Sequence, residues 1–159
     1  APNWLNGVLN SSEQAVIFLV DYGYSESELY SQQRVKGTLQ GYYQHHKLDN
    51  PLALVGLQDL TSSVDFTQLA KAADEAKAQL LGYSSQSMFL MAAGIEKIVR
   101  QKMEQSNASD TMQTLKIGQQ LKQLMMPDEM GETCKVLAIG KNYNQAIKGF
   151  SLDNQLHRL

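Results

Sequence analysis

Apolar residues along this chain follow two rhythms. Trp4, Leu5, Val8 and Leu9 recur at helical spacing over residues 3–12, which predicts an amphipathic helix ending near Ser11 and Ser12. Ala15 to Val20 is continuously apolar and rich in β-branched side chains, the pattern of a strand covered on both faces. It gives way to Asp21-Tyr22-Gly23-Tyr24, a polar, glycine-containing stretch that predicts a turn. In open α/β sheets, ligands sit in the crevice beyond the carboxyl ends of the strands. Residues 25–60 show no sustained period, and a long irregular stretch in a compact domain is often functional. Asn50-Pro51 and Gly56 mark turns within it. The helical rhythm returns over 66–81 through Phe66, Leu69, Ala70, Ala73, Ala76 and Leu80. Asp65 and Gln68 form a capping pair at its start, and Gly82 follows its end. A short strand is expected around Gly82 to Ser84. Met88, Met91, Ala92, Ile95, Ile98, Val99 and Met103 predict a second amphipathic helix. Asp110 and Gln113 repeat the capping pair before a third helix (Met112, Leu115, Leu121, Leu124), which Pro127 ends. Cys134 to Ile139 is a second apolar strand stopped by Gly140, and the polar tail after it is expected to be loose.

The order helix, strand, long loop, helix, short strand, two helices, strand, tail predicts part of a doubly wound α/β domain. Ala15 to Val20 would form a strongly apolar sheet edge unless something covers it, so pairing between copies through this strand is expected. The chain has 159 residues, enough for one domain. A hydrophobic share of 43% with a net charge of −2 excludes a disordered chain. The same balance lacks the basic surplus of a general nucleic-acid binder. No apolar run approaches the roughly 20 residues of a membrane helix. The one cysteine, Cys134, excludes an internal disulfide and reads as a small buried hydrophobe in a reducing compartment. Gln outnumbers the 16 acidic side chains and is spread along the chain, as solvated helix surface. The opening Ala-Pro-Asn-Trp has neither an initiator Met nor a signal-peptide pattern, and reads as the start of a fragment or processed chain.

Several chemistries are absent from the motifs. No two glycines are separated by a single residue, so there is no G-x-G-x-x-G loop, and no P-loop, G-x-S-x-G elbow or H-E-x-x-H occurs. His45 and His46 are adjacent and diverge on a helix or a strand alike, so no metal site is expected. The Met residues on helix faces read as core packing. Asp21-Tyr22-Gly23 is the sharpest local signal, divided between a simple turn and a ligand-facing strand end. Asp59 and Asp65 read first as capping residues. An unperturbed imidazole titrates near neutral pH, so His45 is a candidate general base.

A resemblance gathers these residues. Asp21-Tyr22-Gly23-Tyr24, Gly37-Thr38-Leu39, Tyr42, His45, Asn50-Pro51-Leu52, Gly56, Asp59-Leu60-Thr61 and Val64-Asp65-Phe66 run in the order of the MidA-type S-adenosylmethionine-dependent methyltransferases. Gln86, Phe89-Leu90, Gly94, Met130-Gly131-Glu132, Lys135-Val136-Leu137-Ala138, Gly149-Phe150 and Asp153 continue the match. Cys134, where the family usually carries an aromatic, and the Ser62-Ser63 pair depart from it. The resemblance implies the C-terminal part of a class I, Rossmann-like methyltransferase sheet, mixed parallel and antiparallel, with a helical subdomain. Ala15 to Val20 would be its fifth strand, Gly82 onward its sixth, and Thr133 to Ile139 its antiparallel seventh. Residues 1–84 would form the strand, loop and helix part, 85–127 a helical insertion, 128–140 the final strand and 141–159 a tail. The glycine-rich cofactor loop and the ribose-binding acid of the family lie upstream, so S-adenosylmethionine would be the cofactor of a longer parent, with no cofactor-binding residue in this piece.

A mitochondrial member of that family is linked to arginine methylation during respiratory complex I assembly. A protein side chain is therefore one acceptor that the resemblance implies. Methyl transfer requires alignment, exclusion of water and removal of a proton. Asp21, His45 and Asp59 are the candidate catalytic residues. Tyr22, Gly23, Tyr42, Thr61, Gln86 and Phe89 are the candidate substrate-binding residues, with the tyrosines suited to an apolar or cation-accepting wall. A competing expectation is a protein-interaction module without catalysis, docking through the Met-rich helices. A bacterial cytoplasm is preferred to a mitochondrial matrix, and neither nucleic acid nor membrane is an expected partner.

Overall fold

The computed structural model describes residues 2–44, 46–105 and 111–159. In chain order the first half contains α1 (Pro2–Asn10), β1 (Ala15–Tyr24), α2 (Glu26–Leu29), β2 (Gln40–Tyr43), β3 (His46–Leu48), β4 (Asp59–Thr61), β5 (Val64–Asp65) and α3 (Phe66–Glu75). The second half contains β6 (Gln79–Ser85), α4 (Gln86–Ala93), α5 (Ile95–Gln105), α6 (Thr111–Met125), α7 (Met130–Thr133) and β7 (Cys134–Lys141). Two 3₁₀ turns, Lys148–Phe150 and Leu156–Arg158, complete it. No helix among the described residues is long and apolar enough to cross a membrane.

The main sheet has the order β5-β1-β7-β6. β7 lies antiparallel between β1 and β6, and β5 runs parallel to the end of β1. The two apolar runs of the sequence are thus direct neighbours, paired from Ala15 opposite Lys141 to Tyr22 opposite Cys134. The mixed sheet with a central antiparallel strand matches the expected fold class. Alternation along β7 divides the core in two. Leu137 and Ile139 face Leu5 and Leu9 of α1 and Phe66, Leu69 and Ala73 of α3. Val136 and Ala138 face Phe89 of α4 and Phe150. Helices therefore cover both faces of the sheet.

Several expectations are corrected. β1 does not turn at Asp21 but continues to Tyr24, because both of its edges keep partners there: Lys135 and Cys134 on one side, Val64 and Asp65 on the other. The helix expected over 66–81 closes at Glu75, with Lys77 in the left-handed region at φ 56°, and Gln79 already belongs to β6. Gly82 lies inside β6, where a Cβ would come 2.2 Å from the Phe150 ring, so it is a packing glycine and not a helix terminator. The helix expected across Met88 to Met103 breaks at Gly94, whose φ of 98° suits glycine. Asp65 does cap α3, accepting from the Gln68 N–H at 3.0 Å, whereas the second capping residue, Asp110, lies outside the described residues. Finally, the stretch without period carries the small sheet β3-β2-β4, whose strands of 3 or 4 residues are too short and too exposed to print an alternation.

The tail is docked. Asn154 Oδ1 accepts the Tyr83 N–H at 3.1 Å and the Gln155 N–H donates to the Tyr83 carbonyl at 2.6 Å, closing the outer edge of β6. Leu156 and Leu159 pack on the core, and Arg158 pairs with Glu28. Polar composition concealed this because the tail supplies sheet-edge hydrogen bonds more than apolar area. Burial raises the Glu28 carboxyl, but the Ser25 N–H and hydroxyl, Arg158 and Lys135 outweigh it and hold the group below its usual value. A carboxylate with a lowered folded-state pKa stabilises above its unfolded pKa, and loses that contribution as pH falls through the folded value. Thermal melts of wild type and Glu28→Gln should therefore differ at pH 7 and converge as the pH falls through the lowered folded-state value. A gap that persists in acid would show that the Glu28 charge does not hold the tail.

Candidate active site

At the carboxyl end of β1 the two sheets enclose a cavity of about 490 Å³. Tyr22 and Tyr24, two apart on β1, reach it from the main sheet, and Gln40 and Tyr42 reach it from β2 by the same spacing. Thr61, Ser62 and Ser63 supply hydroxyls from the end of β4, and Glu129 and Thr133 bound it from the start and end of α7. The Tyr42 hydroxyl donates to Gln40 Oε1 at 2.9 Å, and Thr133 Oγ1 donates to the Glu129 carbonyl at 2.6 Å. Tyr24 carries the Arg34 guanidinium over its ring at 3.8 Å. Burial first, and then the hydrogen-bonded Cys134 thiol, push the Tyr22 phenol up, so it stays neutral near pH 7. Burial also pushes the Cys134 thiol up, against the hydrogen bond from Tyr22, which disfavours the thiolate that nucleophilic chemistry needs.

The structure brings together Tyr22, Tyr42 and Thr61 of the sequence candidates. Gly23 is beside them without lining the cavity: it is buried against the Val64 carbonyl and the Phe66 ring. Asp21 accepts its neighbour's N–H (Tyr22) at 2.7 Å and lines a different cavity, of about 350 Å³, with Trp4, Phe18 and Val20. Asp59 pairs opposite Tyr42 in the small sheet and is exposed. His45 lies outside the described residues. Gln86 is buried and donates from Nε2 to the Leu124 carbonyl at 3.0 Å, tying α4 to α6. Phe89 packs edge-on against Phe150 with centroids 5.1 Å apart and against Phe18 with centroids 6.0 Å apart, on the face of the sheet that also carries Tyr22. Neither Gln86 nor Phe89 lines the cavity at the tyrosines. Tyr24 was within reach of sequence reasoning once β1 is extended by one more alternation. Glu129 carried no local signal, because only the tertiary fold brings α7 to β1. Among the described residues there is no cluster of His, Cys, Asp and Glu suited to a metal ion.

Comparison with known proteins fits this geometry. Residues 1–84 match the model of the family described as "Putative S-adenosyl-L-methionine-dependent methyltransferase". The chain belongs to this family. The mitochondrial protein arginine methyltransferase NDUFAF7 of Rattus norvegicus is 30% identical over 129 residues, 81% of this chain and 27% of the relative. Its Homo sapiens counterpart is 31% identical over 121 residues, 76% of this chain and 25% of the relative. The chain thus spans about a quarter of the length of the curated relatives it matches. A Burkholderia thailandensis protein solved bound to S-adenosyl-homocysteine superposes with a TM-score of 0.91 at 32% identity, covering 99% of this chain and 40% of that one.

The residues of this chain do not by themselves fit the family's cofactor. A phosphate- or carboxylate-cradling turn needs glycines open to a ligand after a strand. Gly23, the glycine at the end of β1, is instead filled in: a Cβ there would stand 2.4 Å from the Val64 carbonyl oxygen.

Proposed function

We propose that this chain builds the methyl-acceptor side of an S-adenosylmethionine-dependent protein methyltransferase. The acceptor is an arginine side chain, and the cofactor cradle is carried by residues outside this chain. The observation that supports the reading best is the chemistry of the cavity at the end of β1: among the described residues, three tyrosines, a row of hydroxyls, one carboxylate and no cationic side chain line it. A guanidinium presents five N–H donors on a flat face, and this lining offers acceptors and aromatic rings to match. The names of the mitochondrial relatives point the same way. The cofactor, when bound, supplies an electrophilic methyl group. The residues of this chain have the remaining tasks: hold the acceptor nitrogen in line and keep water out.

The test is transfer of a labelled methyl group from S-adenosylmethionine by the full-length protein, with arginine and lysine peptides offered side by side. Label in methylarginine is the expected result, with Tyr42→Ala reducing transfer by roughly 10-fold or more through lost alignment. Label confined to lysine or to a small molecule overturns the arginine assignment.

A second reading rests on a groove between α5 and α6 of about 710 Å³, lined by Met91, Ile95, Val99, Met103, Leu121 and Met125. Soft Met surfaces suit adaptable partner docking, which would make the chain an interaction module. Calorimetric titration separates the readings: S-adenosylmethionine binding by the full-length protein supports the enzyme, and its absence leaves the module.

A further inference from the structure

Three glutamates among the described residues are already committed. Glu26 pairs with Lys71, Glu28 with Arg158, and Glu132 with Lys135. Glu129 differs. Among the described residues it is the one anionic residue lining the cavity, and none of them forms an ion pair with it. Its backbone, by contrast, is tightly held. The Glu129 N–H donates to the Met126 carbonyl at 3.1 Å, and its own carbonyl accepts from Thr133 Oγ1 at 2.6 Å. Two residues on, the Gly131 N–H donates to the same Met126 carbonyl at 3.0 Å. Gly131 leaves no freedom there either, since a Cβ would meet the Met125 carbonyl oxygen at 2.2 Å. The Glu129 backbone is thus held at the cavity, while no ion pair to its carboxylate occurs among the described residues. Across the cavity, Tyr24 shows what the aromatic wall accepts, because the guanidinium of Arg34 already stacks on it at 3.8 Å.

We infer that Glu129 is the specificity-determining residue of the cavity, pairing with the cationic head of the acceptor side chain. The inference rests on the acceptor reading above and gives it a charge rule. A carboxylate and a guanidinium match as two parallel N–H···O bonds, a fork that a lysine ammonium cannot reproduce. A neutral amide acceptor gains nothing from the charge, and an acidic acceptor is repelled. Because Glu129 is exposed at the mouth, the attraction also weakens with salt.

Steady-state kinetics of the full-length protein on an arginine peptide test this, with peptide affinity measured separately by calorimetry. Glu129→Gln should raise KM and the peptide Kd by roughly 10- to 100-fold, the range of a charge-assisted pair, while kcat changes by less than about 3-fold. Glu129→Asp should recover part of the loss. Glu132→Gln, whose carboxylate is engaged by Ser87 and Lys135, should leave KM unchanged, and S-adenosylmethionine affinity should be the same in all variants. If wild type methylates arginine peptides and Glu129→Gln keeps the wild-type KM, or loses kcat alone, the specificity role is overturned while the acceptor reading stands. If wild type leaves arginine peptides unmethylated, both fall together.

Discussion

Phe66→Ala is expected to remove about 3–5 kcal/mol of folding stability, the usual cost of truncating a buried aromatic. Phe66 is fully buried, opens α3 directly after the Asp65 cap, and lies in one cluster with Leu5, Leu9, Leu137 and Ile139. Its ring packs on Tyr83 with centroids 5.3 Å apart. That contact joins the helix layer to β6 through the middle of the sheet. Domains of this size hold only about 5–15 kcal/mol in reserve, so the variant should be partly unfolded at modest temperature. Urea denaturation checks it: the midpoint should fall sharply at constant m. A midpoint shift worth less than about 1 kcal/mol would mean that the ring is not central to the core.

Gly23→Ala should couple a stability loss to a loss of function. The added Cβ would lie 2.4 Å from the Val64 carbonyl oxygen and 2.6 Å from Phe66 Cε2. Neither neighbour has room to give, because Val64 is the β5 residue paired with Gly23 and Phe66 is locked in the core. Relief requires β5 to separate from β1, at about 1–3 kcal/mol for overpacking. Tyr22 and Tyr24 flank the glycine and both line the cavity, so the displacement also spoils the acceptor site. Misplacement by about 1 Å can cost on the order of 100-fold in rate. Methyl transfer by the full-length variant should therefore fall further than its melting temperature alone explains. Activity equal to wild type in a folded Gly23→Ala protein would contradict the placement of this strand end at the acceptor.

The parts of the fold that could be read in advance are those where apolar character is nearly continuous. Ala15 to Val20 and Cys134 to Ile139 announce themselves as strands because each is an apolar run, broken only by Lys135, although only the second is buried throughout and Phe18 and Val20 of the first are exposed. Asp65 announces the start of α3 because an N-cap is local chemistry. The end of α3 could not be read, since Ala76 and Leu80 satisfy a helical period as well as the turn and strand they form. Gly82 was ambiguous for a similar reason: only the Phe150 ring, brought from far along the chain, explains why the position lacks a side chain. The candidate site divides along the same line. Tyr22 stands beside a recognisable strand, Tyr42 and Thr61 stood out only through the family resemblance, and Glu129 joins them only because α7 packs against α4, α6 and β7. Asp21 was drawn in by its position in sequence, yet period-two alternation sends its side chain away from its neighbours' cavity.

The most direct measurement is a crystal structure of the full-length protein with S-adenosyl-homocysteine and an arginine peptide bound together. The expected result is a guanidinium seated between Tyr22, Tyr42 and Glu129 at the carboxyl end of β1. A peptide arginine found instead in the Met-lined groove of α5 and α6, or beside Asp21 along the edge of β1, would contradict the assignment of this cavity as the methyl-acceptor site.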